Sequence, residues 1–134
     1  MSIYSKILEV QDLKKVYGRD ENKTIALKGI TFDVLSGEFL GIMGASGSGK
    51  TTLLNCITTI IKPTSGKILL NGENLSSFRG KKLADYRGNR IGYLFQDFEL
   101  LDNLTGRENI LLPLSIHGMN VEESVDKLFA IAKY

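Results

Sequence analysis

The stretch Gly44-Ala45-Ser46-Gly47-Ser48-Gly49-Lys50-Thr51 constrains this chain more than any other. It fits the pattern G-x-x-x-x-G-K-[ST], which works only where a buried strand ends and a helix begins. Phe39-Leu40-Gly41-Ile42-Met43 precedes it as a continuous apolar run, which predicts a strand buried on both faces. Thr52 to Ile61 follows as a predicted helix, stopped near Pro63. Such a loop suits the phosphates of a nucleoside triphosphate, with ATP the expected ligand. A triphosphate needs many donors close together, and backbone N–H groups supply them without side-chain entropy. Glycine at Gly47 and Gly49 lets the backbone come close and take positive φ where needed. The N–H groups and dipole at the helix start favour anions. Lys50 reaches the β- and γ-phosphates as a point charge. The Thr51 hydroxyl suits Mg²⁺, a cation that prefers oxygen, and Thr52 is placed to help hold the α-phosphate. The predicted ATP site is therefore Gly44, Ala45, Ser46, Gly47, Ser48, Gly49, Lys50, Thr51 and Thr52.

The flanking segments predict an α/β chain. Ile7 to Val10 reads as a short strand, followed by Val16-Tyr17-Gly18 and a polar turn over Arg19 to Lys23. Ile30 to Val34 alternates apolar and polar as a half-buried strand does, and Ser36-Gly37-Glu38 turns. Lys67 to Leu70 reads as a strand closed by Asn71-Gly72, a strong turn signal. Lys81 to Arg87 suggests a short helix, and Ile91 to Phe95 another apolar strand. Thr105-Gly106-Arg107-Glu108 matches a capping box, so a helix starts there, and Pro113 is expected to kink or end it. Asn120 caps a further helix, with Val121, Val125, Leu128, Phe129 and Ala132 on one face.

Composition narrows the class. The 43% hydrophobic and 24% charged residues are ordinary for a globular domain, and 134 residues fit a single one. Seventeen basic against fifteen acidic residues leave a net charge of +2, without the basic stripe of a nucleic-acid binder. The single cysteine, Cys56, has no partner for an internal disulfide and fits a reducing compartment as a small buried residue. Met1 to Val10 lacks a signal-peptide core, and no run approaches the ~20 apolar residues of a membrane span. The expected location is cytoplasmic, with any membrane link through a partner.

Beyond the phosphate loop, the chain resembles the ATP-binding subunit of an ABC transporter along nearly its whole length. Val16-Tyr17-Gly18 resembles the aromatic loop, Leu27-Lys28-Gly29-Ile30 through Ser36-Gly37-Glu38 the strand pair that leads to the phosphate loop, and Pro63-Thr64-Ser65-Gly66 with Asn71-Gly72 the segment after the first core helix. Phe95-Gln96-Asp97-Phe98 resembles the glutamine loop. The resemblance implies that Tyr17 stacks on adenine and that Gln96 senses Mg²⁺ and the γ-phosphate. Tyr93 to Leu101, Leu104-Thr105, Glu108-Asn109-Ile110 and Leu112-Pro113-Leu114 are similar to the macrolide, lipoprotein and antimicrobial-peptide transporter subfamily, above all its peptide-antibiotic resistance branch. The fold so implied is α/β, a P-loop NTPase of ABC type that is incomplete. It has an N-terminal antiparallel β-subdomain with the P-loop core (residues 1–96), then the glutamine loop and the start of a helical subdomain (97–134).

The same resemblance implies ATP and Mg²⁺ as cofactors, and as partners a membrane-spanning permease and a second ATP-binding subunit in a homodimer, with no nucleic acid. The chain would sit at the inner face of the membrane through its partner. It departs from the family in length. The signature LSGGQ, the apolar run ending in Asp-Glu and the switch histidine are absent, and His117 falls where the helical subdomain is expected. The chain therefore reads as an N-terminal half, in which Lys50 and Gln96 contribute to catalysis without a complete catalytic set. Its ATP hydrolysis, known by family alone, is expected to be slow or absent. Alternatives are a docking or oligomerisation fragment, an ABC-type ATPase serving DNA repair or translation, and a small-molecule kinase. The glutamine-loop match and the want of an arginine-rich lid count against the last. Unfilled strand edges would favour dimerisation, strand exchange or poor stability.

Overall fold

Val10 and Leu13 are both fully buried, although strict alternation along a strand would turn them to opposite faces. An extra residue resolves the conflict. Pairing between strands β1 (Lys6–Tyr17) and β2 (Thr24–Leu35) slips between Val10 and Leu13, and Asp12 there takes φ 44°. The Asp12 N–H leaves the ladder and donates to Thr31 Oγ1 at 2.9 Å. On β2 the pairing passes from Ile30 to Lys28, skipping Gly29 at φ 109°. These bulges let one strand, Lys6–Tyr17, run through the two short segments expected at 7–10 and 16–18 and bury both Val10 and Leu13 in the core.

The computed structural model describes residues 5–97, 99–116, 118 and 125. These fall in two units, Met1–Ile91 and Gly92–Tyr134. In the first, β1 and β2 combine with β3 (Ser65–Leu70) and β4 (Glu73–Asn74) in an antiparallel sheet of order β2-β1-β3-β4. Helices α1 (Lys50–Ile57) and α2 (Gly80–Asn89) complete this unit, with short 3₁₀ turns at Asp20–Asn22 and Leu75–Ser77. Val10, Leu13, Leu27 and Ile68 from the sheet form one core with Leu53 and Cys56 of α1, then Leu75, Phe78 and Tyr86. An eight-residue helix is marginal in water by itself. Burial of Leu53, worth roughly 2 kcal/mol, helps hold α1 in place.

The end of α1 differs from expectation. The helix stops at Ile57, well before Pro63, because Thr59 turns left-handed at φ 62°. The Thr58 hydroxyl donates to the Leu54 carbonyl at 2.9 Å. Arg87 of α2 clasps the freed group, donating to Thr59 O at 2.7 Å and to Thr59 Oγ1 at 3.0 Å. The Tyr86 hydroxyl donates to the terminal carbonyl of Ile57 at 2.8 Å. Its ring meets Phe78 edge-on, with centroids 5.6 Å apart and planes at 80°. Burial pushes the Tyr86 phenol up to about 12, so it remains a donor throughout the neutral range.

Two expected strands are corrected. Phe39 to Met43 and Ile91 to Phe95 form no ladder with any described residue. A strand buried on both faces needs a bonded neighbour on each side; without one these runs stay irregular. Phe39 is 98% exposed, Met43 95% and Leu94 91%.

The second unit contains α3 (Gly106–Ile116). Its capping box is formed in both directions: Glu108 N–H donates to Thr105 Oγ1 at 3.2 Å, and Thr105 N–H to the Glu108 carboxylate at 2.7 Å. Pro113 does not end the helix, which continues to Ile116. Asn109, whose carbonyl loses a helical donor at Pro113, anchors the preceding turn by accepting from Leu101 N–H and donating to Leu101 O. The expectations for Phe98, His117 and the helix from Asn120 lie outside the described residues, except that Val125 is helical and buried.

Tyr86→Phe should lower stability by about 1 kcal/mol in denaturant unfolding, since it strands the Ile57 carbonyl; Tyr86→Ala should cost about 3–5 kcal/mol by adding a cavity. The α3 cap should be acid-labile. Hydrogen bonds from Thr105 hold the Glu108 carboxyl below its ordinary value of 4.5, so its contribution is complete above that pH and is lost as the pH falls through the lowered folded value. Hydrogen-exchange protection factors in the first turn of α3, corrected for the intrinsic pH dependence of exchange, should fall there, while a Glu108→Gln variant shows no such pH step.

Candidate nucleotide site

The loop between Gly44 and Gly49 closes on its own lysine. Lys50 Nζ donates to the carbonyls of Gly44 and Ala45, each at 2.7 Å, and to Ser48 Oγ at 3.3 Å. An ammonium has three N–H donors, and all three find oxygens of this short segment. Ser48 N–H completes a turn on the Ala45 carbonyl at 3.1 Å. The loop thus coils around a fixed positive charge, and Gly44 to Ser48 are exposed.

Gly49 is the hinge between loop and helix. It caps α1 with φ 96°, and its carbonyl accepts from Leu53 N–H at 2.9 Å. A Cβ there would lie 2.5 Å from the Ala26 carbonyl and 3.1 Å from a Leu27 methyl. The missing side chain lets the start of α1 rest directly on β2. Thr51 is exposed in the first turn of α1 and Thr52 is half-buried.

Tyr17 ends β1, paired with Thr24 of β2, and is 39% exposed. Ala26 lies two residues further along β2, about 7 Å away at strand spacing. The tyrosine and the phosphate loop are thereby brought to the same end of one strand. The aromatic end is tied down from the segment after α1: Thr64 N–H donates to the Lys14 carbonyl at 2.9 Å, and Val16 N–H to Thr64 Oγ1 at 3.0 Å. Lys15 Nζ lies 5.0 Å from the centre of the Tyr17 ring and donates to the Lys62 carbonyl at 2.8 Å. No motif marks Lys15; its only sequence signal is the two-residue spacing that puts it on the same strand face as Tyr17.

Gln96 belongs to the second unit, exposed at a turn where Glu99 N–H donates to the Asp97 carbonyl. Among the described residues there is no cluster of three or more His, Cys, Asp or Glu suited to a metal. Burial raises the Cys56 thiol above its ordinary range, so it is a packed side chain rather than a nucleophile.

A model of the ABC transporter family matches residues 27–133. The chain belongs to that family. It is 48% identical over 128 residues to the ABC transporter ATP-binding protein YxdL of Bacillus subtilis, covering 96% of this chain and 49% of that protein. It is 51% identical over 126 residues to the bacitracin export ATP-binding protein BceA of Halalkalibacterium halodurans, covering 94% and 50%. The dimeric structure of MJ0796, a bacterial ABC transporter cassette, shares 37% identity and superposes with a TM-score of 0.76 over 81% of this chain and 47% of that one. The same cassette in a post-hydrolysis state bound to ADP and Pi superposes with a TM-score of 0.75 at the same identity and coverage. The fold is that of an ABC cassette, and the chain spans about half the length of the curated relatives it matches.

No helix among the described residues is long and apolar enough to cross a membrane. Gly49→Ala should be the most damaging single-methyl change in the loop, because it combines a positive φ with a backbone clash. Thermal unfolding should show a loss of about 2 kcal/mol or more, and calorimetric titration should show lost ATP binding, whereas Gly72→Ala, with open space around its Cβ, should retain binding.

Proposed function

We propose that this chain binds Mg-ATP as the ATP-binding part of an ABC transporter, with adenine on Tyr17 and the phosphates in the loop Gly44 to Thr51. The observation that carries this reading is the arrangement on β2: Tyr17 pairs with Thr24, and Gly49 rests on Ala26 two residues away. A base on the ring and a triphosphate in the loop need that closeness. The exposed backbone from Ala45 to Gly47 is proposed to supply N–H donors to the phosphates, the start of α1 to add its dipole, and Thr52 to support the α-phosphate. Lys50 keeps its two short bonds to Gly44 and Ala45 and exchanges the longer one, to Ser48 Oγ, for a phosphate oxygen. Mg²⁺, when bound, neutralises the phosphates; Thr51 offers it a hydroxyl, and Gln96 is the proposed second contact.

The reaction served is ATP hydrolysis coupled to transport. Phosphoryl transfer is catalysed by positioning and charge stabilisation, and Lys50, Thr51 and Gln96 supply part of both. The proposed partners are a permease and a second ATP-binding subunit, which places the working protein at the cytoplasmic face of a membrane. The similarity to a bacitracin export protein supports antimicrobial-peptide export or resistance as the transport task. Residues 1–96 would form the β-subdomain and loop core, with the helical subdomain beginning at 97. Among the described residues no carboxylate is assigned to water activation in the proposed site, and binding without efficient turnover is the proposed behaviour of this chain.

The second reading, nucleotide-independent association, draws on the exposed Phe39, Met43 and Leu94.

Titration with a fluorescent ATP analogue, with and without Mg²⁺, tests the first reading. Wild type should bind with Mg²⁺ dependence, and Lys50→Ala should weaken binding about ten- to hundredfold, as loss of charge-assisted hydrogen bonds implies. Robust hydrolysis abolished by Lys50→Ala would contradict the lack of turnover. Absence of binding by a folded wild type, with self-association unchanged by ATP, would favour the second reading.

A further inference from the structure

We propose that Lys15 is a positioning residue for the nucleotide base: it backs one face of the Tyr17 ring and so prepares the other face for adenine. The proposal rests on the reading of Tyr17 as the adenine platform.

A tyrosine at a strand end, 39% exposed, has ring freedom that a stacked base would have to remove. Lys15 removes part of it beforehand. Its ammonium lies 5.0 Å from the ring centre, within cation–π range. The lysine is itself held, since Nζ donates to the Lys62 carbonyl at 2.8 Å. Lys15 pairs with Leu27, a fully buried residue of β2, so its backbone is anchored at the core. The strand on either side is clamped by Thr64, whose N–H reaches Lys14 O and whose hydroxyl accepts from Val16 N–H.

The consequence is a link between two distant segments. The turn after α1, through Lys62 and Thr64, holds Lys15 and Val16, and these hold Tyr17. The ammonium covers one ring face, which leaves one side for the base. A cation on the covered face also draws π density towards itself, which favours stacking of an electron-rich purine on the other.

The experiment compares ATP with inorganic tripolyphosphate, which fills the loop without a base. Calorimetric titration of the full chain gives the ratio of the two affinities, so a general loss of positive charge or of stability cancels. Tyr17→Ala should lower the ratio. Lys15→Met, which keeps the aliphatic stem, should lower it about two- to fivefold, and Lys15→Arg should restore it. In the Tyr17→Ala background Lys15→Met should change the ratio no further. If Tyr17→Ala leaves the ratio unchanged, the stacking reading fails and the proposal with it. If Tyr17→Ala lowers the ratio but Lys15→Met does not, the stacking reading stands and the role of Lys15 is overturned. An equal effect of Lys15→Met with and without the Tyr17 ring would likewise overturn it.

Discussion

The contact of Gly49 with the Ala26 carbonyl is where the phosphate loop meets the sheet. It sets the start of α1, because Gly49 accepts the first helical hydrogen bond, from Leu53. Leu53 and Cys56 then enter the core beside Leu13 and Leu27. A residue with any side chain would push the loop off β2, and the helix start with it. Packing and the proposed anion recognition therefore share one backbone position: the absence of a Cβ lets the helix start approach β2, and a helix N-terminus favours anions.

The electrostatics of the loop follow from local closure. Lys50 is satisfied by oxygens of its own segment, so the positive charge is held in place before any ligand arrives. Preorganised donors lose little entropy on binding. Tyr17 is treated in a similar way by Lys15, with a π face in place of oxygens. The chain's overall balance of +2 contributes little to either arrangement; placement of two lysines matters more than net charge.

The exposed apolar runs show the other side of the same physics. Phe39 to Met43 leads into the loop, yet its Phe39 and Met43 side chains face water. Hydrophobic sequence alone does not make a strand, because a strand's backbone groups need partners across the ladder. β1 and β2 have them, and their bulges at Asp12 and Gly29 let Val10, Leu13 and Leu27 all enter the core.

By itself, the sequence determined the features whose causes lie within a few residues. The phosphate-loop residues Gly44 to Thr51, the turn at Asn71-Gly72 and the reciprocal cap of Thr105 and Glu108 are of this kind. Only the tertiary structure decided what depends on partners far along the chain. The bulge that puts Val10 and Leu13 on one face needs β2 and Thr31. The early end of α1 is fastened by Tyr86 and Arg87 from another helix. The backing of Tyr17 by Lys15 depends on Lys62, 47 residues beyond that lysine. Periodicity carries no record of which distant segment arrives, and a carbonyl, a bare Cα or a lysine acquires its role only when that segment is in place.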